Sequence, residues 1–374
     1  MPILPLSYRL GNVLGSGGYG IVYQAIEANS GRTAAIKKSR VSQKVKRTIL
    51  RYESTVLQFL QGHSAIPAIY GYGQLPHFEY LAMELLGPSV KECATGRVPV
   101  KTVVSVIEQM LSALEHVHKH GFVHRDIKPE NLLCSLADPS KIMLIDFGIS
   151  RRIHIKPGRP RKYDPSKGSL RFVGTLYWSS LNAHDGIDLA PRDDLESLAY
   201  IAFFLLHGDL PWRSFSSHRE PIVTRMKHIR AAKAAVSGDE LCADFPPEFG
   251  YLLDYSRTLE YGRMPDYQLL KIWFTREHTR EPLEWSFAEI SEESTSFKVA
   301  HFENDEDGMG SDKDNDKDSG EESNTDSEEN FSNSYYSLDI GLWQIQGARD
   351  RSLTLPIEFE QARSGIPEIV EVAK

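Results

Sequence analysis

Hydrophobic and polar positions fall into short alternating runs at the start of the chain and into helical spacing further on. Apolar positions crowd at 8–14, 21–26 and 33–38, runs with β-branched and aromatic residues set off by glycine-containing breaks, and these predict strands. Over 42–61 the period changes. Val45, Ile49, Tyr52, Val56 and Leu60 recur at steps of three and four and Gly62 follows, which predicts an amphipathic helix. A run from Tyr80 leads as a strand into the break Gly87-Pro88. Val100, Val103, Val104, Ile107, Met110, Leu111, Leu114 and Val117 then mark a long helix over 100–120, stopped by Gly121. Residues 141–145 read as a short apolar strand. Residues 195–207 are apolar on nearly all sides, a buried helix that Gly208 ends.

Length and charge divide the same chain differently. At 374 residues it exceeds one typical domain, with enough apolar residues for a sizeable core. The net charge of -8 hides an asymmetry: residues 286–374 carry 7 basic against 22 acidic side chains, and residues 1–285 carry 36 against 29. Residues 303–330 hold thirteen acids and no aliphatic or aromatic residue except Met309, too little apolar surface to offset ordering, so they read as disordered. Phe331 to Ile345 turns apolar again. Cys93, Cys134 and Cys242 are too few and scattered for a disulfide framework, which suits a reducing compartment and buried free thiols. Without a signal-like start or an apolar stretch of about eighteen residues, the chain reads as soluble, cytoplasmic or nuclear, with no membrane partner. No nucleic-acid module is visible, and a monomer is expected.

The chemistry concentrates in two segments. His124-Arg125-Asp126-Ile127-Lys128-Pro129-Glu130-Asn131 offers Asp126 to accept a proton and Lys128 to hold a phosphate. Asp146-Phe147-Gly148 follows, and Asp146 with Asn131 offers oxygens to a divalent metal. Upstream, Gly15, Gly17 and Gly20 stand in a GxGxxG array whose amides could close over phosphates. Such an array also suits a hairpin or a dinucleotide turn, but a strand-like run follows it where the dinucleotide turn needs a helix. His116, His120 and His124 recur every four residues, a spacing weighed for metal, yet no HExxH and no neighbouring thiolate accompany them. His124 reads instead as a packing partner of Phe147.

The pattern H-R-D-x-x-x-x-N followed by D-F-G resembles the catalytic core of protein kinases, and the likeness extends to about residue 285. That resemblance implies an α+β, bilobal fold: a small antiparallel-β lobe over 1–86, a mainly helical lobe over 87–285, and an acidic, largely disordered tail over 286–374. It implies ATP and Mg2+ as cofactors. Lys37, in the position of the V-A-I-K lysine, would hold phosphates and pair with Glu53, which lies beside the apolar stripe of the predicted helix. Met83 would be the gatekeeper, the backbone of Glu84 to Leu86 would meet adenine, and Val22, Ala35 and Leu133 would sandwich the ring. Asp126, Lys128 and Asn131 would be catalytic, Asn131 and Asp146 metal-binding. Lys128, two residues after Asp126, is the serine/threonine form of the loop. Asp194 would hold that loop from below.

Gly174-Thr175, Ser180-Leu181-Asn182 in place of A-P-E, Arg192-Asp193-Asp194-Leu195-Glu196-Ser197-Leu198, Leu210-Pro211-Trp212 and Met83-Glu84-Leu85-Leu86-Gly87-Pro88-Ser89 look like the casein kinase I family. Two departures mark a divergent relative. Tyr177 stands where that family has an anion-binding arginine, and Pro191 replaces the first of two arginines before Asp193-Asp194. Lys227 and Arg171 are candidate replacements for the missing cation. Residues 150–171 carry eight basic side chains against Asp164, so protein substrates with acidic or phosphorylated segments are the expected partners. A tail folding onto this basic groove, a pseudokinase scaffold, and a sister-group kinase without primed-substrate preference are the alternatives.

Overall fold

The computed structural model describes residues 8–17, 20–41, 48–75, 77–153, 172–215, 220–275 and 360–361. The acidic stretch 303–330, the apolar return at 331–345 and most of the basic run 150–171 lie outside them.

The strands expected at 8–14, 21–26, 33–38 and from Tyr80 join a further one, at 69–74, in one antiparallel sheet, while the strand expected at 141–145 lies in a separate two-stranded pair. β1 (Tyr8–Gly17), β2 (Gly20–Glu27), β3 (Thr33–Arg40), β4 (Ile69–Gln74) and β5 (Phe78–Met83) lie in the order β1-β2-β3-β5-β4, and β10 (Glu360–Gln361) pairs with the free edge of β4. Register does the sorting. Val22 lies opposite Lys37 and Ala35 opposite Met83, and directly paired residues share a face, so Val22, Ala35, Lys37 and Met83 line one side of the sheet. The intervening positions Ala34, Ile36, Tyr80 and Ala82 are buried on the other side with Tyr8 and Ala25, as a separate small core. Lys38 therefore points away from Lys37, and its ammonium sits 4.2 Å over the Phe78 ring.

Of the helix expected over 42–61, residues 42–47 lie outside those described; α1 (Ile49–Leu60) begins after Thr48, which is in extended conformation. A tertiary cap replaces the missing local one. The Glu79 carboxylate on β5 accepts from the amides of Leu50 (2.9 Å) and Arg51 (3.2 Å) and from the Thr48 hydroxyl. Val56 and Leu60 of the predicted stripe are buried, Ile49 and Tyr52 are half-buried, and Leu50 and Leu57 beside them are buried too.

After the extended stretch 84–88 come α2 (Val90–Cys93), α3 (Val100–Lys119), β6 (Phe122–Val123), β7 (Leu132–Cys134), β8 (Ile142–Leu144), β9 (Arg151–Arg152), α4 (Leu181–His184) and α5 (Pro191–His207). α6 (Ile222–Ala234), α7 (Gly238–Leu241), α8 (Glu248–Thr258) and α9 (Tyr267–Thr275) complete the helical lobe. α5 starts four residues before the predicted apolar run, since Pro191 occupies its first turn, where a missing N–H costs nothing. Leu195 to Leu206 are buried throughout, and α3 and α8 pack against the helix. This core continues without interruption into α1, Leu81 and Met83, so the two lobes share one apolar interior. Among the described residues no helix is long and apolar enough to cross a membrane.

Candidate active site

Between the lobes the structure brings together Lys37, Glu53, Asp126, Lys128, Asn131 and Asp146, drawn from β3, α1, the turn after β6 and the end of β8. Lys37 Nζ lies 2.9 Å from Glu53 Oε2 and 2.8 Å from Asp146 Oδ1. One ammonium thus serves two carboxylates. Burial alone would lower the Lys37 pKa, but Asp146 and Glu53 outweigh it and hold it above its usual value. Burial would raise the Asp146 carboxyl, but Lys37, Lys128 and His124 keep it below the ordinary range. Burial pushes the Glu53 carboxyl up, and Asp146 adds to that against the pull of Lys37. The triad is one positive charge short.

Backbone strain marks the same place. Arg125 (φ 72°) and Asp146 (φ 66°) are the non-glycine residues with left-handed backbone among those described, at a cost of about 1–2 kcal/mol each. Asp194, on the buried helix α5, holds the first of them. It accepts from the amides of His124 (2.8 Å) and Arg125 (2.9 Å) and from His118 Nε2 (2.8 Å). His124 in turn meets the Ile145 carbonyl through Nε2 at 2.9 Å and packs edge-on against Phe147, ring centres 4.8 Å apart. His116 meets the Leu60 carbonyl and His120 that of His116. Each of the three histidines weighed for metal has a structural partner.

Asp126 is 6% exposed and fully engaged. Its Oδ1 accepts from the Thr175 hydroxyl (2.7 Å), and its Oδ2 lies 2.8 Å from Lys128 Nζ and 3.3 Å from Asn131 Nδ2. Lys128 also donates to Thr175 Oγ1 at 3.0 Å. Burial would lower the Lys128 pKa, but Asp126 foremost keeps it raised. Asn131 Nδ2 donates to the Asp126 carbonyl as well (2.9 Å), which turns the amide oxygen toward other work. Thr175 is the residue that motif reading left without a role. The signal was present, since it follows Gly174, but only the fold shows what its hydroxyl reaches. Gly174 (φ 103°) is required there: a Cβ would stand 2.7 Å from the Arg125 carbonyl.

The sequence of residues 8–254 matches the protein kinase domain. The chain belongs to that family. Family membership brings ATP and a divalent metal, and the residues fit both. Asp146 and Asn131 offer a carboxylate and an amide oxygen, an incomplete shell of the kind that magnesium completes with phosphate oxygens and water. No group of three or more His, Cys, Asp or Glu is gathered for metal among the described residues. The missing positive charge beside Lys37 is the second sign of fit.

The glycines divide. A Cβ at Gly20 (φ 127°) would stand 2.1 Å from the Lys38 carbonyl, whereas among the described residues Gly15 and Gly17 have nothing within 4 Å of theirs. Packing explains the first. In the kinase connector, the Glu84 amide already donates to the Ala68 carbonyl (2.8 Å), which leaves its own carbonyl and the half-buried Leu86 backbone for a base edge. Leu133 pairs with Ser89 in an isolated bridge. Cys134 and Cys242 are buried free thiols as expected, but Cys93 is only half-buried, and its sulfur lies 4.0 Å from that of Cys134. Tyr177 is buried, its ring 5.7 Å from the Arg213 guanidinium.

Proposed function

We propose that this kinase is an ATP- and Mg2+-dependent serine/threonine protein kinase of the casein kinase I type, its kinase domain spanning about 8–285 and its tail the remainder. The observation that carries the reading is the Asp126–Thr175–Lys128 cluster, in which a hydroxyl already lies 2.7 Å from the Asp126 carboxylate. Mg-ATP supplies the transferable γ-phosphoryl group and the charge that neutralises it. Lys37, positioned by Glu53, holds the α- and β-phosphates; Asp146 and Asn131 hold the metal. Gly15, Gly17 and Gly20 bring backbone amides over the phosphates. Val22, Ala35 and Leu133 enclose adenine, with Met83 behind it and the backbone of Glu84 and Leu86 at its edge. Asp126 orients the substrate hydroxyl and accepts its proton as the bond forms, while Lys128 steadies developing charge on the transferred group.

Ser/Thr choice is supported by Lys128, two residues after Asp126 and 2.8 Å from its carboxylate. Acidic substrates are supported by the basic run at 150–171 in the sequence. A preference for primed substrates is disfavoured by Tyr177, a neutral side chain turned into the interior. The test is transfer from ATP with magnesium to an acidic peptide and to one carrying phosphoserine upstream of the target serine. Asp126→Asn should cut transfer to either by about 10²–10⁴-fold, and the acidic peptide should be at least as good as the primed one. Full transfer by Asp126→Asn, or none by wild type, refutes the reading.

A further inference from the structure

α6 carries a lysine that the mechanism above does not use. Lys233 is fully buried, and its Nζ donates to two backbone carbonyls of the substrate-facing segment, Leu176 (3.1 Å) and Ser179 (2.6 Å). Its remaining neighbours are His184 Nε2 at 3.3 Å and the rings of Tyr200 and Trp212, 4.8 and 5.5 Å away. No ion pair compensates it among the described residues. Glu196, the acid whose field it feels, is engaged by Arg257 at 3.3 Å and by the Tyr200 hydroxyl at 2.5 Å. Burial, with Arg257 adding to it, drives the Lys233 pKa far down. A buried amine without a counter-ion is a stability cost.

What the lysine holds is a turn closed on Thr175. The Thr175 carbonyl accepts from the amides of Trp178 and Ser179, each at 2.9 Å, and from the Ser179 hydroxyl at 2.8 Å. Lys233 grips the carbonyls on either side of that turn, and Trp212 Nε1 takes the Tyr177 carbonyl between them at 2.9 Å. The turn therefore cannot slide along α6 without breaking the Lys233 contacts. Its first residue is the one whose hydroxyl lies on Asp126.

We propose that Lys233 is a positioning residue for phosphoryl transfer, setting the turn 175–179 so that the Thr175 hydroxyl meets Asp126. The inference rests on the kinase reading of Asp126. Lys233→Met, which fills the site but removes the donors, should lower kcat with a peptide by about 10–10²-fold. The KM for ATP should stay unchanged, because the nucleotide contacts come from elsewhere. A double-mutant cycle separates positioning from general damage. If Lys233 acts through Thr175, then Thr175→Ala/Lys233→Met is no slower than Thr175→Ala alone. Multiplicative losses, or an unchanged kcat in Lys233→Met, overturn the proposal. Should Lys233→Met fail to fold, Lys233→Ala, which also removes the donors and leaves room for water at the two carbonyls, goes through the same cycle with the same criteria. Inactive wild-type protein would instead count against the kinase reading itself.

Discussion

Replacing Asp194 by asparagine should uncouple the catalytic turn from α5 while leaving the cleft's other groups in place. The carboxylate receives three donors, the amides of His124 and Arg125 and the ring of His118, at 2.8, 2.9 and 2.8 Å. Burial would raise its pKa, but His118 above all keeps it low, so all three bonds are charge-assisted. An asparagine has one acceptor oxygen. Its best placement keeps His124 and His118 and turns NH2 toward the Arg125 amide, replacing an attraction by a donor facing a donor. The lost charge-assisted bond is worth about 1.5–3 kcal/mol and the orphaned amide about 1–3 more. Relaxation of Arg125 from its left-handed backbone returns about 1–2 kcal/mol. The net loss is therefore about 0.5–5 kcal/mol, centred near 3, within the stability of an ordinary domain. That relaxation moves Asp126, the next residue. A displacement of about 1 Å lowers kcat by about 10²-fold, with the KM for ATP held. Urea unfolding and steady-state peptide phosphorylation measure the two halves. A variant that loses the stability yet keeps kcat within about threefold would show that strain at Arg125 does not place Asp126.

Lys37→Met should cost about 3–5 kcal/mol, because it leaves Glu53 and Asp146 buried without their shared cation; adding Glu53→Gln should restore part of the loss in thermal unfolding, though not transfer activity. The depressed Asp146 pKa contributes stability that is present above the unfolded carboxylate value of about 3.9 and is lost as pH falls through the folded value. The stability gap between wild type and Asp146→Asn should accordingly shrink as urea midpoints are followed downward from pH 5. Glu79→Gln should weaken the first turn of α1 by about 1–2 kcal/mol and lower kcat, since α1 carries Glu53; hydrogen exchange at Leu50 and Arg51 reports the fraying directly.

The periodicity of apolar residues located α3, α5 and the strands β1, β2, β3, β5 and β8 to within a few residues, because each buries one face or all faces and the spacing records which. The order H-R-D, N, D-F-G named the cleft residues, since phosphoryl transfer needs those side chains on one short loop and one strand end. Local sequence could not supply partners distant in the chain. The start of α1 was misread because its cap is Glu79, on a strand that comes after it. Thr175 gained a role only when Gly174 let its segment approach Arg125, and Tyr177 was shown to be interior only by packing. Lys233 carries no sequence signal, being one basic residue on a helix of weak pattern. Its meaning comes from burial against carbonyls more than fifty residues away, a relation that the fold creates and a linear pattern has no means to encode.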